Sequence, residues 1–394
     1  MLAAIALAAA MLWTPLSRLG THTLGPWDTV TSGDPFLRPK EPVEVANHAL
    51  TDPVRQFLPW VELARREFEE GRLPLWNEYN AGGQPLLANY QSALLSPFTL
   101  PFYVLPLDLA TVLSAWAKLA CAAFFTFGLL RSLGFGRWPA AFGAAAYTCI
   151  AGHLMLLLHP HPGVTALLPA LLWCIERAVR AAEEGQRGAL WRRCAVLGLV
   201  TGISALAGHP EMLMVSAGVC AAFLAARAIA SSERRRVLRA LPLLATGALL
   251  GALLAAPQIV PFAEYLRLSL ALARQRGAPS PSRMDQLPFA MFPALVGSPL
   301  SPAPGVVMTP KVNYQDSLAY YAGALPVWLS CLALMLGAAR TRFGLLVAGG
   351  LLALGIGSNV GGFGETFGHW ISFGLVPAGR FYPVLAVGGA LASA

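Results

Sequence analysis

Asp52 leads the side chains of this chain whose chemistry could matter. A carboxylate can take the proton from an attacking hydroxyl, and further candidates follow at intervals: His159 and His161, His209 with Glu211, Arg267 and Arg380. Arginine presents a fork of donors that matches a phosphate group. A bound divalent metal could share the work of holding an anion, yet no His, Cys, Asp or Glu spacing calls for one. The six cysteines, Cys121, Cys149, Cys174, Cys194, Cys220 and Cys331, form no CxxC pair. They read as small apolar core residues rather than a disulfide framework.

Composition dictates what must position these groups. Hydrophobic residues make up 56% of the 394-residue chain and charged residues 12%, with a mean hydropathy of +0.57. Soluble domains carry about 25% charged residues, so this is an all-α polytopic membrane protein. Apolar runs over 2–16, 107–130, 139–158, 164–175, 189–207, 212–226, 238–262, 321–338 and 343–356 read as spans. A last run, 371–394, is broken by Pro377, Arg380 and Pro383 and reads as a re-entrant piece followed by a span, which gives about ten spans in all. The layout is a first span over 1–17, a large loop over 18–97, a bundle over 98–263, a second loop over 264–320 and C-terminal spans over 321–394.

The net charge of +8 would point to nucleic acid in a soluble protein. Here the arginines sit in alternate short links: Arg131 and Arg137, Arg177 to Arg193, Arg227 to Arg239, Arg340 and Arg342. Topology explains that pattern, and no nucleic-acid partner is implied. By the positive-inside rule the arginine side and the N-terminus are cytoplasmic, and both large loops face outward. The carboxylates, imidazoles and Arg267 and Arg380 then share the outer boundary, where they suit a reaction on a lipid-linked phosphate.

Within the first loop, Val54, Phe57, Leu58, Val61, Ala64 and Phe68 recur at three- and four-residue steps between charged residues, which predicts an amphipathic helix from Pro53 to Gly71. On spacing, Asp52 is first a cap for that helix and second a base. The turn around His159 and His161 reads as solvated or bonded to backbone. A turn with Glu211 on a positive helix end accounts for His209-Pro210-Glu211 as well as a functional role does. Arg380 inside an apolar run needs a partner or a water-lined cavity.

The motifs Leu50-Thr51-Asp52-Pro53, Gly71-Arg72-Leu73-Pro74-Leu75-Trp76-Asn77, Gly82-Gly83-Gln84-Pro85 and Gln91-Ser92-Ala93 closely resemble the first outward loop of YfhO-like bacterial membrane proteins. Ala207-Gly208-His209-Pro210-Glu211, Ala256-Pro257-Gln258 and Gly379-Arg380-Phe381 also resemble that family's recurrent patches. The resemblance implies a GT-C-type bundle in which an acidic residue of the first outward loop serves inverting glycosyl transfer from a polyprenyl-phosphate sugar. Carried over, Asp52 is the general base, while His209, Glu211 and Arg380 fall on the family's patches without a role of their own. Beyond the resemblance, Arg380 or Arg267 is expected to bind the donor phosphate, with His209, Glu211, Trp76, Asn77 and Gln91 also on the substrate side. Trp60, Trp76, Tyr79 and Tyr90 either pack on sugar faces or seat the loop at the headgroups.

The expected partners are the bilayer, a polyprenyl-phosphate sugar and a cell-envelope glycan or polymer acceptor, at the bacterial inner membrane. Family members are usually longer, so a chain that stops within an apolar run at Ala394 is expected to be a truncated member. The alternatives are a transporter or flippase for a lipid-linked glycan, with discontinuous spans and polar groups near the midplane, and a catalytically silent scaffold.

Overall fold

The computed structural model describes residues 2–32, 45, 50–80, 82–269, 321, 323–336 and 388. They are mostly helical, and among them five helical runs are long and apolar enough to cross a membrane: Leu107–Ser132, His161–Glu183, Arg187–Leu206, Pro210–Ala230 and Arg234–Leu254. The membrane-protein reading and the helical fold class therefore stand. The expected span over 343–356, and all of 371–394 but residue 388, lie outside the described residues.

The chain opens with α1 (Leu2–Met11) and α2 (Trp13–Ser17), shorter and more broken than a single span over 2–16. A short α3 (Asp28–Thr31) follows. The amphipathic segment forms as expected, as one wide π turn, Pro53–Phe57, running into α4 (Leu58–Glu69). Arg65–Glu69 and Arg66–Glu62 pair one turn apart on its exposed side. Val61 and Ala64 are buried on the other. A two-residue ribbon, β1 (Trp76–Asn77) against β2 (Gln84–Pro85), runs antiparallel with Trp76 opposite Pro85.

After α5 (Pro101–Val104) comes α6 (Leu107–Ser132), the longest helix described. Asp108 in its first turn and Arg131 in its last both complement the helix dipole. Asp108 also accepts the Gly20 amide at 2.7 Å, which ties the first loop to the head of α6. Ala8 and Leu12 pack beside Ala115 and Leu119, placing the N-terminal helix against α6.

The run expected as one span over 139–158 is instead α7 (Arg137–Thr148) and α8 (Ala151–Met155), with an irregular stretch before α9 (His161–Thr165). Then come α10 (Leu168–Glu183), α11 (Arg187–Leu206), α12 (Pro210–Ala230), α13 (Arg234–Leu254) and α14 (Ala256–Leu268), so the run expected over 238–262 is two helices. The last described helix is α15 (Ala324–Leu336). The α9–α10 run is the most enclosed of the five and α13 the least. The core runs along α10, where Leu168, Leu172, Ile175 and Val179 meet Met212, Val215 and Val219 of α12 and Val237 and Leu244 of α13.

The helix ends sort into two groups. Arg180 at the end of α10 donates to the Ser132 carbonyl at the end of α6. Arg227 near the end of α12 bonds Glu176 Oε2 at 2.6 Å and reaches Glu183 at 3.6 Å, while Arg236 at the head of α13 donates to the Glu183 carbonyl at 2.8 Å. The arginine-bearing links 131–137, 177–193 and 227–239 therefore share one end of the bundle. The first-loop helix meets the other.

Candidate functional site

At that other end, a cavity of about 50 Å³ lies between the loop and the helix heads. Pro53, Phe57 and Val61 wall it from the loop helix, Gln91, Ser96 and Thr99 from the loop, and Thr111, Ser114 and Lys118 from α6. Thr111, Ser114 and Lys118 recur at steps of three and four, so they form one stripe of α6. His159, Pro160 and Ala207 also line the cavity, with Phe98, Phe102 and Leu158 among the apolar remainder.

Lys118 is 7% exposed. Its ammonium donates to the carbonyls of Leu157 at 2.9 Å and His159 at 3.0 Å. Those carbonyls lie in the irregular stretch between α8 and α9, which no helix ladder satisfies. Backbone of this kind persists at membrane depth only where the protein supplies donors, and Lys118 supplies two of its three. Among the described residues lining the cavity it is the one cation, and no carboxylate stands there.

The loop is sewn down around the cavity by buried side-chain bonds. Tyr90 donates to the Ala205 carbonyl of α11 at 2.6 Å, and its ring meets Phe262 of α14 edge-on at 4.8 Å. Ser92 donates to Leu86 O and Thr99 to Ala93 O, both at 2.8 Å, and Gln258 donates to Leu87 O. Tyr90 and Ala93 both hold positive φ, 67° and 50°, a conformation that costs a residue with a side chain of order 1 kcal/mol or more. Gly208 accepts the pressure of Ala93 because it has no Cβ to collide with it and because its φ of +92° suits glycine.

Beside the cavity three buried imidazoles follow one another. His159 and His161 have ring centroids 5.8 Å apart, and His161 and His209 only 3.7 Å. Phe57 of the loop helix meets His159 edge-on at 5.3 Å. His209 caps α12, its Nδ1 accepting from the Met212 amide at 3.3 Å, and Pro210 takes the first helical position. The solvated reading of the His159 turn is corrected: both its histidines are buried, His159 against Phe57 of the loop helix and His161 between the rings of His159 and His209. Among the described residues no group of three or more His, Cys, Asp or Glu side chains is arranged to hold a metal ion.

Asp52 is half-buried, one residue before the cavity wall at Pro53 and not itself part of that wall. Its cap reading is corrected. The backbone at Asp52 is already helical, with φ −56° and ψ −41°, and its side chain makes no cap bond but accepts the Gln56 amide at 3.1 Å. Gln91 is exposed and lines the cavity, so it marks where the cavity meets the surface. Glu211 is half-buried in the first turn of α12, next to His209.

The remaining candidates stand off the cavity wall. Arg267 is exposed in the last turn of α14. Trp76 is exposed on β1, its indole lying where a Gly83 side chain would be. Asn77 is buried and accepts the Tyr79 amide at 3.0 Å, a turn-forming role. Arg380 lies outside the described residues. Lys118 is the residue that reading for loop motifs passes over. The signal is present in the sequence, because a lysine within the apolar run 107–130 invites the same question as Arg380.

The chain matches no family model, no curated protein and no solved structure.

Proposed function

We propose that the protein is a GT-C-type membrane glycosyltransferase that moves a sugar from a polyprenyl-phosphate donor to a cell-envelope acceptor. It acts on the outer face of a bacterial inner membrane, with a cytoplasmic N-terminus and about ten spans, counting the broken runs 2–16 and 139–158 and the three apolar runs beyond residue 320 together with the five long helices. One observation carries the reading: the helix that begins at Asp52 walls a cavity that also holds a buried cation and several hydroxyls, at the end of the bundle away from the arginines. A lipid-borne substrate reaches such a site along the bilayer, with its polar head at the loop. Asp52, at the margin of that cavity, takes the acceptor proton as the hydroxyl attacks the anomeric carbon. His209 packs on His161 behind the cavity, Glu211 follows it in the first turn of α12, and Gln91 faces the entrance. Trp76, Asn77, Arg267 and Arg380 remain candidates for the sugar and acceptor side.

The test is transfer by the purified protein from a sugar-loaded polyprenyl phosphate, read as released polyprenyl phosphate. Asp52→Asn should insert normally and lose on the order of 10²–10⁴-fold in rate, the usual worth of a general base. Native-rate transfer by that variant removes the assignment.

A second reading, a flippase for a lipid-linked glycan, is favoured by two features. The run from Arg137 to Thr165 is discontinuous, and Lys118 is buried within a spanning helix. Translocation of a fluorescent glycolipid across vesicles without release of polyprenyl phosphate would select it. Neither activity would leave the scaffold.

A further inference from the structure

The enclosed part of the cavity is small beside a sugar and close in size to something simpler. A water needs about 10–15 Å³ of such space, so 50 Å³ holds a handful of heavy atoms. A tetrahedral phosphate has that many, and a pyranose has about twice as many. Most of the lining is apolar, Phe57, Phe98 and Phe102 included, but its polar groups suit an anion: Lys118 brings an amine, Ser114 and Ser96 bring hydroxyls, and no carboxylate competes among the described lining residues. Lys118 spends two of its three N–H donors on carbonyls, which leaves one for a ligand. A charge within a membrane span needs a counter-charge, and the described lining residues supply none to Lys118.

We infer that this cavity is a phosphate subsite, with Lys118 as its counter-ion and the Thr111–Ser114 stripe of α6 as its floor, and that it seats the phosphate of the lipid donor. The inference rests on the proposed transfer reaction and assigns its phosphate contact to Lys118 rather than to Arg267 or Arg380. The sugar then lies outside the cavity, toward Gln91 and the turn that carries Asp52.

The experiment measures binding by the full chain in phosphatidylcholine nanodiscs, as the shift in thermal unfolding midpoint. The probes are inorganic phosphate, and a polyprenyl monophosphate doped into the disc, each against chloride at equal ionic strength. Both probes should raise the midpoint, the lipid one at roughly tenfold or lower concentration because it is already confined to the bilayer. Ser114→Leu fills the cavity with methyl groups and leaves the Lys118 carbonyl bonds in place; it should fold and lose both shifts. Lys118→Met should lose them as well. If that variant fails to fold for want of its carbonyl bonds, Ser114→Leu decides.

No shift with either probe, or an equal shift in Ser114→Leu, overturns the subsite. A shift with inorganic phosphate only overturns the lipid donor as its occupant. Wild-type binding through this cavity without sugar transfer sinks the enzyme reading and keeps the subsite. Transfer that survives Ser114→Leu does the reverse.

Discussion

Glu176 is fully buried on α10 and accepts from Arg180 Nε at 2.7 Å and Arg227 Nε at 2.6 Å. Arg180 and Arg227 keep part of their surface in water, so removing Glu176 strands no fully buried charge and should cost less than the roughly 3–5 kcal/mol of a fully buried pair. Glu176→Ala should still lower the unfolding midpoint in detergent more than Glu62→Ala on exposed α4, which should cost about 1 kcal/mol at most. At the opposite end Tyr90 does the comparable job. Burial pushes its phenol up to about 12, so it stays a donor to Ala205 O across the working range. An acid whose folded value lies above its ordinary 10 stabilises the fold fully below pH 10 and loses that contribution as pH rises toward 12. Protease cutting within 86–99 should rise over that window, and Tyr90→Phe should reduce the pH dependence, leaving the part carried by Tyr103, whose phenol is likewise pushed up by burial and donates to Leu94 O. Asp52 illustrates what spacing alone misses. A Thr-Asp-Pro start predicts a cap, but the wide π turn carries Asp52 into helical dihedrals, and its carboxylate turns to Gln56. Sequence spacing assumes an α turn and cannot register a π turn.

Helix pairs are where hydropathy says least. The runs that became α6, α11 and α12 were legible because each is a continuous apolar stretch bounded by polar links. The run over 139–158 is equally apolar and breaks, because its interruption is repaired from elsewhere: Lys118 serves the carbonyls of Leu157 and His159, and Tyr147 donates to Thr165 O at 2.6 Å. A window of hydropathy measures apolarity, not continuity of the backbone ladder. Contact between α11 and α13 was equally invisible, although its residues are plain in retrospect. Gly198 and Gly202 face Gly247 and Gly251, each pair four apart. A Cβ at Gly247 would stand 2.5 Å from the Cys194 carbonyl oxygen, and one at Gly198 would stand 2.7 Å from the Gly247 oxygen. Backbone cannot yield as a side-chain tip does, so Gly247→Leu should cost at least the 1–3 kcal/mol typical of overpacking, about the upper end of that range. The check is the unfolding midpoint beside Leu250→Ala on the exposed face of α13, which should change it little.

For the whole molecule, the alternation of links fixes which ends lie together, and the contacts agree. Arg180 meets the end of α6, Arg227 and Arg236 meet Glu183, and the loop helix meets His159 at the far end. Among the long described helices, α6, α9–α10 and α12 therefore begin at the loop end, and α11 and α13 finish there. The rule that arginine-rich links stay cytoplasmic then commits the whole bundle, since no single link can be turned without turning its neighbours. Two cysteine variants in a background stripped of native cysteines test this. Glu69→Cys sits on the exposed side of the loop helix and Glu184→Cys at the exposed turn after α10. With an impermeant maleimide on intact cells, Glu69→Cys should label and Glu184→Cys should label only after the membrane is opened. The reversed pattern would place the cavity, Lys118 and Asp52 on the cytoplasmic side. A reaction there would meet soluble nucleotide-activated sugars rather than an outward-facing lipid donor, so this one orientation decides which chemistry the site can be asked to perform.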